Sequence, residues 1–252
     1  MITIPPEISI IIPVLHEVAQ INHAVAAIRN LEGSDRCEVI VVDGDPGRST
    51  LDAIRDPDVR RVVSDPGRGP QLNTGAGVAR GDILLFLHVD TFLPAGGLSR
   101  ISEIMGEERC VAGSFRLAFD SDRFLYRVLA TAASWRSRFS RVPFGDQGIF
   151  IRRMYFHDIG RFGDFAVMED VDLMRRIRRR GDRIHILDDC VRTSARRLEK
   201  EGAGYCLVRG LVFHSLFSIG VSPDRLRRYY PVCAGDPSQV DKVRPDKEFQ
   251  SV

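Results

Sequence analysis

The chain has 252 residues, a formal net charge of +2, 44% hydrophobic residues and 28% charged residues. This balance excludes a disordered, collagen-like or low-complexity protein, and a chain of this length can bury one full-sized core. The five cysteines are scattered and include no Cys-x-x-Cys pair, which argues against a zinc ribbon or a disulfide framework. The amino-terminal run has the features of neither a signal peptide nor a membrane span, so the sequence predicts a cytoplasmic protein.

Almost all of the positive charge is arginine. Of the 36 basic residues, only Lys200, Lys242 and Lys247 are lysines. Codon bias in a GC-rich genome is one explanation. Recognition of phosphate or carboxylate is the other, because the planar guanidinium forms two parallel hydrogen bonds with such groups. The arginines are concentrated in residues 121–141 and 175–197, while acidic residues collect elsewhere.

Short apolar runs alternate with helical segments in the first half of the chain. We predict strands at 8–14, 38–43, 59–64 and 82–88, and helices at 19–31, 49–55 and 70–80. The runs are apolar on both faces and bounded by Gly, Pro or Asp, which is typical of buried parallel strands covered by helices. The alternation predicts an α/β fold with a doubly wound, mostly parallel central sheet flanked by helices. Ligands of such sheets bind at the carboxyl ends of the strands.

The second half is less regular. We predict strands at 110–119, 148–152 and 183–188, and helices at 122–139 and 168–180. No internal repeat and no Ser/Gly-rich linker divides the halves, so one domain is expected over residues 1–233. Residues 234–252 are polar and contain proline, and we expect them to form a flexible tail.

Three acidic residues follow predicted strands, namely Glu17, Asp43 and Asp90. Each alone is typical of a turn or a helix cap. Three on neighbouring strand ends predict one crevice. His88 and Asp90 are two positions apart and project to the same side if the strand continues through them, which predicts a site for Mg²⁺ or Mn²⁺ completed by substrate phosphates. The alternative for His88 is a strand-end histidine bonded to backbone.

Segment 67–81 contains glycines that resemble a dinucleotide fingerprint. A fingerprint requires a strand before the glycines and a helix that opens at them, whereas these glycines lie within or at the end of a predicted helix, so we exclude NAD binding. The small residues instead predict close approach of this helix to the sheet. Arg68, in a loop flanked by glycines, is expected to reach a nucleotide or phosphate.

Two further segments are candidates for chemistry. Residues 168–172 begin a predicted helix, where carboxylates are favoured by the helix dipole; alternatively, one of them is a general base. Residues 144–148 form a loop before a strand, which predicts either a simple turn or an acceptor pocket containing Asp146.

Five segments, in this order and at these separations, resemble glycosyltransferase family 2, the inverting GT-A enzymes: SIIIPVLHE, VVDGD, GRGPQLNTGAGVARGD, LLFLHVD and MEDVDLMRR. The chain is most similar to the bacterial branch with His-x-Asp where most relatives have Asp-x-Asp. The resemblance implies a GT-A fold, a nucleotide-diphosphate sugar donor, Mn²⁺ or Mg²⁺, and a single displacement with inversion onto a hydroxyl acceptor. Residues 1–119 would then form the donor half and residues 120–233 the acceptor half.

The resemblance also implies roles for particular residues. Asp90 would hold the metal, Asp170 would deprotonate the acceptor hydroxyl, and His88 would supply less negative charge to the metal than the usual aspartate. The family's Gln-x-x-Arg-Trp element is absent. The remaining assignments are nucleotide contacts for Pro13, Glu17, Asp43 and Arg68, diphosphate contacts for Arg196 and Arg197, and acceptor contacts for Asp146, Gln147 and Glu169.

Two apolar stretches, 122–139 and 204–221, carry interspersed arginines. Core helices or a homodimer face are one interpretation. Peripheral attachment to the inner face of an anionic membrane, beside a lipid-linked acceptor, is the other. Nucleic-acid binding is disfavoured because no recognition motif accompanies the arginines.

Two alternative functions have different sequence requirements. A sugar-nucleotide nucleotidyltransferase usually has a Gly-rich basic loop directly after its first strand, where this chain has Leu15, His16 and Glu17. A non-catalytic sugar-nucleotide-binding protein is the second alternative, which the change at His88 suggests.

Overall fold

The computed structural model describes residues 5–165, 167–227 and 229. Its strands are β1 (Ile8–Val14), β2 (Cys37–Asp43), β3 (Arg60–Val63), β4 (Ile83–Phe86), β5 (Thr91–Phe92), β6 (Cys110–Phe119), β7 (Ile149–Arg152) and β8 (Arg183–Thr193). Its α-helices are α1 (Ile21–Arg29), α2 (Ser49–Asp52), α3 (Arg68–Val78), α4 (Gly97–Gly106), α5 (Phe124–Ser140), α6 (Arg153–Asp158), α7 (Glu169–Arg180), α8 (Arg196–Glu201), α9 (Ala203–Ser218) and α10 (Pro223–Arg227). The predicted tail at 234–252 lies outside the described residues.

The strands form one sheet in the order β3-β2-β1-β4-β7-β6-β8-β5. Strands β1 to β4 pair in parallel, as predicted, with Val14 beside Asp43 and Ile11 beside Phe86. Strand β7 runs antiparallel to both of its neighbours, and β6 and β8 pair in parallel. The α/β fold is therefore confirmed, and the carboxyl ends of β1, β2 and β4 meet at one edge.

Two apolar cores lie on the two faces of the sheet. Alternation along β1 directs Ile10 and Ile12 into the core that includes the buried residues of α1 and α4. Ile11 points to the other face, among side chains of α3 and α7. Since helices cover both faces, both faces of β1 must be apolar, as its sequence is.

Helix α3 lies very close to the sheet because of Gly75. A Cβ at this position would lie 2.5 Å from Cγ2 of Ile11 and 3.0 Å from Cγ2 of Val42. On the same helix, Gln71 Nε2 donates to the carbonyl oxygens of Val14 and Val42, both at 2.8 Å. The expectation that small residues serve packing is confirmed, and α3 ties together the carboxyl ends of β1 and β2.

The second half differs more from the prediction. The strand predicted at 183–188 continues to Thr193 because residues 190–193 pair with residues 116–119 of β6, a partner distant in sequence. The two-residue strand β5 and the helices α4, α6, α8 and α10 were not predicted. None of the described helices combines the length and apolar character needed to cross a membrane.

Candidate active site

Two of the predicted acids meet at the carboxyl edge of the sheet. Arg196 Nη2 lies 3.3 Å from Glu17 Oε1 and 3.2 Å from Asp90 Oδ2. Strand β5 pairs with the end of β8, and the Ser194 amide donates to the Asp90 carbonyl at 3.1 Å, so α8 begins beside Asp90. We call Glu17, Asp90 and Arg196 the donor edge.

Glu17 is buried, with 7% of its surface exposed. Among the described residues its Oε2 has no hydrogen-bond partner, and its amide donates to Thr50 Oγ1 at 3.0 Å. Burial raises the pKa of Glu17, Arg196 opposes the rise, and the charge of Asp90 adds to it. The donor edge therefore holds two acids that share one guanidinium, an arrangement that favours additional positive charge.

Asp43 lies behind the donor edge and is completely buried. Its Oδ1 accepts from the Asp45 amide at 3.0 Å, and its Oδ2 accepts from the Thr50 amide at 3.1 Å. These bonds hold the turn after β2 and the start of α2, which carries Thr50, beneath Glu17. Contact of Asp43 with a base, and of the half-buried Pro13 with the nucleotide, stay predictions.

A second group of polar side chains lies around the amino terminus of α7. Asp170 Oδ2 accepts from the Gly145 amide at 2.5 Å, and its Oδ1 accepts from the Val171 amide at 2.7 Å. Glu169 is completely buried and lies 3.1 Å from Arg68 Nε. We call Asp146, Glu169 and Asp170, with Arg68, the acidic corner.

The residues of the acidic corner pack closely around Gly145, which has no side chain. A Cβ at this position would lie 2.7 Å from Arg68 Nη2, 3.2 Å from Asp170 Oδ2 and 3.3 Å from His88 Nε2. A side chain of any size would therefore displace groups that converge on this loop. The missing side chain at Gly145 therefore lets Asp170, Arg68 and His88 approach its backbone together.

His88 faces Arg68. The guanidinium Nη2 of Arg68 donates to His88 Nε2 at 2.7 Å. Burial first, and then the charges of Arg68, Arg197 and Arg196, hold the pKa of His88 well below its ordinary value. The imidazole is therefore neutral at physiological pH and uses its Nε2 lone pair to accept from Arg68. The sequence allowed a backbone hydrogen-bond partner for His88, whereas the structure gives it the side chain of Arg68. Metal ligation by His88 stays a prediction.

Glu169 and Asp146, the other two acids of the acidic corner, have raised pKa values. Burial raises the pKa of Glu169 to about 7, despite the opposing charge of Arg68. Burial and the charge of Asp170 raise the pKa of Asp146 to about 6, and no residue in the described part of the chain forms a hydrogen bond with Asp146 Oδ1. Near neutral pH these carboxyls are therefore partly protonated beside Asp170.

Gln147 was predicted to contact an acceptor, and the structure places it elsewhere. The side chain is completely buried. Its Oε1 accepts from Ser137 Oγ at 2.6 Å and from the Phe144 amide at 3.1 Å, while its Nε2 donates to the Phe115 carbonyl at 3.1 Å. In this structure its amide group anchors the loop and is not available to an acceptor.

Sequence reasoning missed Arg136 and Phe144. The guanidinium carbon of Arg136 lies 3.5 Å from the centre of the Phe144 ring, and the charge of Arg136 opposes the rise in the pKa of Asp146. The Phe144 ring also lies 6.1 Å from that of His214 on α9. No motif marks these residues, because their proximity depends on how α5 and α9 pack around the loop.

The side chains that could ligate a metal at the donor edge determine which metal ion would fit. Within the described part of the chain, no three His, Cys, Asp or Glu side chains lie close enough together to hold a metal ion. Asp90 is partly exposed and supplies a hard oxygen ligand, which suits Mg²⁺ or Mn²⁺. The residues fit an ion that takes a carboxylate from Asp90 and its other ligands from a diphosphate and water.

Comparison with known proteins places the chain in a family. The model described as Glycosyl transferase family 2 matches residues 9–172, well over half of the chain. The match includes Glu17, Asp43, Asp90 and Asp170 and ends before Arg196. The family and the enzyme class predicted from the sequence are confirmed, while the His-x-Asp branch stays a prediction. No curated protein matches the chain.

Solved structures share the fold at low identity. The mannosyltransferase PcManGT from Pyrobaculum calidifontis, in complex with GDP-Man and Mn²⁺, matches with a TM-score of 0.58 and 22% identity over 75% of this chain and 57% of that one. S. aureus TarS 1-349 matches with a TM-score of 0.56 and 17% identity over 75% and 60%. This chain therefore corresponds to less than two thirds of either protein, and the likeness shows the GT-A fold.

Proposed function

The chain belongs to glycosyl transferase family 2, and from this premise we propose that it moves a sugar from a nucleoside-diphosphate sugar to a hydroxyl acceptor with inversion at the anomeric carbon. The observation that carries the proposal is Asp170, a partly exposed carboxylate held by the Gly145 amide. It lies beside the edge of the sheet that carries Asp90 and Arg196. A mannosyltransferase of the same fold, in complex with GDP-Man and Mn²⁺, supports this class of donor.

The reaction requires one bond to form as another breaks. The acceptor oxygen bonds to the anomeric carbon on the face opposite the diphosphate, the bond from that carbon to the phosphate oxygen breaks, and the hydroxyl proton passes to Asp170. Arg196 can stabilise the negative charge that grows on the leaving diphosphate. Arg68 and Arg197 add positive potential around His88 on the same side.

A divalent cation completes the proposal. Mn²⁺ or Mg²⁺, when bound, supplies positive charge to the diphosphate oxygens. Asp90 is the residue that would hold it. Arg196 shares a charge-assisted contact with this carboxylate, so its guanidinium is positioned to transfer from Asp90 to a phosphate oxygen when the donor enters.

Glu169 and Asp146 set the environment of the base. Burial raises the pKa of Glu169 to about 7 and that of Asp146 to about 6, so near neutral pH the acidic corner carries less negative charge than three fully ionised carboxylates would. We include in the proposal an acceptor carried on a lipid and a location at the inner face of the membrane. The exposed apolar surfaces of α5 and α9, which flank Phe144, support this part.

Substitution of the base tests the proposal. In Asp170→Asn, the donor should bind normally, because the amide retains the shape of the side chain. Turnover should fall by about 10²–10⁴-fold, the usual effect of losing a general base. Thermal shift with a panel of sugar nucleotides and Mn²⁺ identifies the donor, and calorimetry with single-turnover kinetics then separates binding from chemistry.

Asp172→Asn is the matched control for that experiment. Asp172 lies on the same helix and pairs with Arg176 at 2.8 Å, away from Gly145. This variant should retain turnover. Near-normal turnover by Asp170→Asn would contradict the assignment of the base, and a wild-type protein that binds donor without hydrolysis or transfer would favour the non-catalytic alternative.

A further inference from the structure

Helix α9 has an exposed face without charge. Arg209, the single Asp, Glu, Lys or Arg of this helix, is buried and pairs with Glu201 at 2.5 Å. The exposed apolar side chains on and just beyond the helix are Tyr205, Leu207, Val208, Leu211, Val212 and Ile219. A helix that faces water normally has polar residues there. An apolar face of this extent marks an interaction site.

Helix α5 has a similar face, bordered by arginine. Phe124, Trp135 and Phe139 are 79%, 55% and 77% exposed, and their spacing places them on one side of the helix. The rings of Trp135 and Phe139 stack with centroids 5.5 Å apart. Arg127 and Arg138, three turns apart, are exposed and lie along the border of this strip, where Arg138 also pairs with Asp188 at 2.7 Å. The interpretation of residues 122–139 as a core helix is therefore wrong for these side chains.

The two helices lie on the same side of the molecule. Tyr126 and Leu129 of α5 pack in one apolar cluster with Ala203 at the start of α9. Farther along, Arg136 of α5 and His214 of α9 both contact the ring of Phe144. We call the exposed apolar residues of α5 and α9 the α5–α9 surface. Arg136 and His214, on the same two helices, interact electrostatically with Asp146 and Asp170 of the acidic corner.

We propose that the α5–α9 surface docks on an anionic lipid bilayer. Exposed aromatic and aliphatic side chains bordered by arginines complement the acyl chains and the anionic headgroups of such a surface. Beyond residue 234 the chain has only scattered apolar residues among charged ones, so this segment is a poor complement to the surface. The consequence rests on the proposed function: a bilayer here would bring a lipid-carried hydroxyl towards Asp170.

Trp135 is a built-in probe, because it is the only tryptophan in the sequence. Full-length protein should float with phosphatidylcholine vesicles that contain phosphatidylglycerol, and its emission should shift to shorter wavelength. Brominated lipids should quench this emission. Binding should weaken as salt rises and should be much weaker with phosphatidylcholine alone, since screening removes the attraction of arginine to headgroups.

Substitutions test which residues insert. Leu211→Asp and Phe139→Asp should each lower vesicle partitioning by about tenfold or more, because burying an apolar side chain of this size has that effect. Arg127→Gln should weaken binding to anionic vesicles and leave binding to neutral vesicles unchanged. Met154→Asp is the control: Met154 is 70% exposed on α6, outside this surface, and the variant should bind like the wild type.

Three results would overturn the proposal. Absence of flotation would do so, as would a concentration-dependent dimer that buries Trp135 without lipid, or protection of Trp135 from acrylamide in the monomer, which would indicate that the chain covers its own surface. Donor hydrolysis measured in the same samples separates the two proposals. Active protein that does not float overturns docking alone, whereas inactive protein that floats overturns the proposed function alone.

Discussion

The donor edge and the acidic corner use the same residue types in opposite ways. At the donor edge, Glu17 and Asp90 share Arg196, and Asp90 and Arg196 remain partly exposed. In the acidic corner, Glu169 is sealed from solvent, and its pKa rises to about 7 because burial outweighs the charge of Arg68. The first arrangement leaves charged groups accessible, as the proposed binding of a cation and a diphosphate requires, whereas the second raises the pKa of buried carboxyl groups.

This difference shows what determines the behaviour of a carboxyl group here. Burial raises the pKa of Glu17 as well, but a guanidinium contacts both Glu17 and its neighbouring acid. The acidic corner instead contains three carboxyls around Arg68. The two sites therefore differ in the ion-pair partners of their carboxyl groups and in the exposure of these groups to solvent. Each of the following predictions changes one of these features.

Among these further changes, Gly145→Ala should give the largest effect. The added methyl group would contact Arg68, Asp170 and His88 at once, and displacing a catalytic group by a fraction of an ångström to 1 Å lowers turnover by about 100-fold. Donor affinity, measured by calorimetry, should change little because the donor edge is untouched. Gly77→Ala is the matched control, since a Cβ at Gly77 meets no atom within 4 Å. Full turnover by Gly145→Ala would show that this loop does not position the base.

Glu169→Gln should make stability less sensitive to alkaline pH. The pKa of Glu169 is raised from 4.5 to about 7, so between these values the folded protein binds more protons than the unfolded chain. The stability contributed by this carboxyl is fully present below pH 4.5 and is lost as pH rises through 7. Because glutamine cannot ionise, the variant should gain about 2 kcal/mol relative to wild type between pH 5 and pH 8.

The free energy of unfolding, measured with urea at pH 5 and at pH 8, tests this difference between Glu169→Gln and wild type. Asp146→Asn should shift in the same direction over a lower range, since the pKa of Asp146 is raised to about 6. Glu32→Gln, at an exposed position, serves as the control and should show no pH-dependent difference from wild type. If the free energies of unfolding of Glu169→Gln and wild type differ by the same amount at both pH values, the pKa of Glu169 is not raised in the folded protein.

Asp90→Ala should give the smallest effect, confined to the donor edge. Loss of the carboxylate should weaken donor binding by about tenfold, or 1.4 kcal/mol, when Mn²⁺ is present. With EDTA, wild type and variant should bind donor alike in calorimetry. Asp82→Ala, at an exposed position just before β4, is the control. An equal loss with and without the metal would mean that Asp90 contacts the donor by another route.

The parallel half of the sheet was predictable because its signals are local. Apolar residues on both faces of β1 and β2 and an acid after each strand are visible in the order of the residues. The glycines of α3 were also informative, since Gly75 must lie against Ile11 and Val42 for the helix to pack as it does. Family motifs then indicated which acids to consider.

The second half was less predictable because its features depend on partners far apart in sequence. The extension of β8 requires β6, and the position of Arg196 requires the pairing of β8 with β5. Gln147 has the composition of a polar loop residue, yet its amide is satisfied by three groups inside the protein. Nothing in the order of residues 144–148 indicates that Gly145, rather than Asp146, holds Asp170.

The sequence by itself determined the α/β class, the family, the acids at the strand ends and the concentration of arginine in two segments. Tertiary structure alone decided which arginine contacts which acid, which carboxyls are sealed from solvent, and that the apolar residues of α5 and α9 face outwards. The physical reason is that periodicity and strand ends are encoded over a few neighbouring residues. Burial, protonation and charge pairing depend on groups that folding brings together from distant parts of the chain.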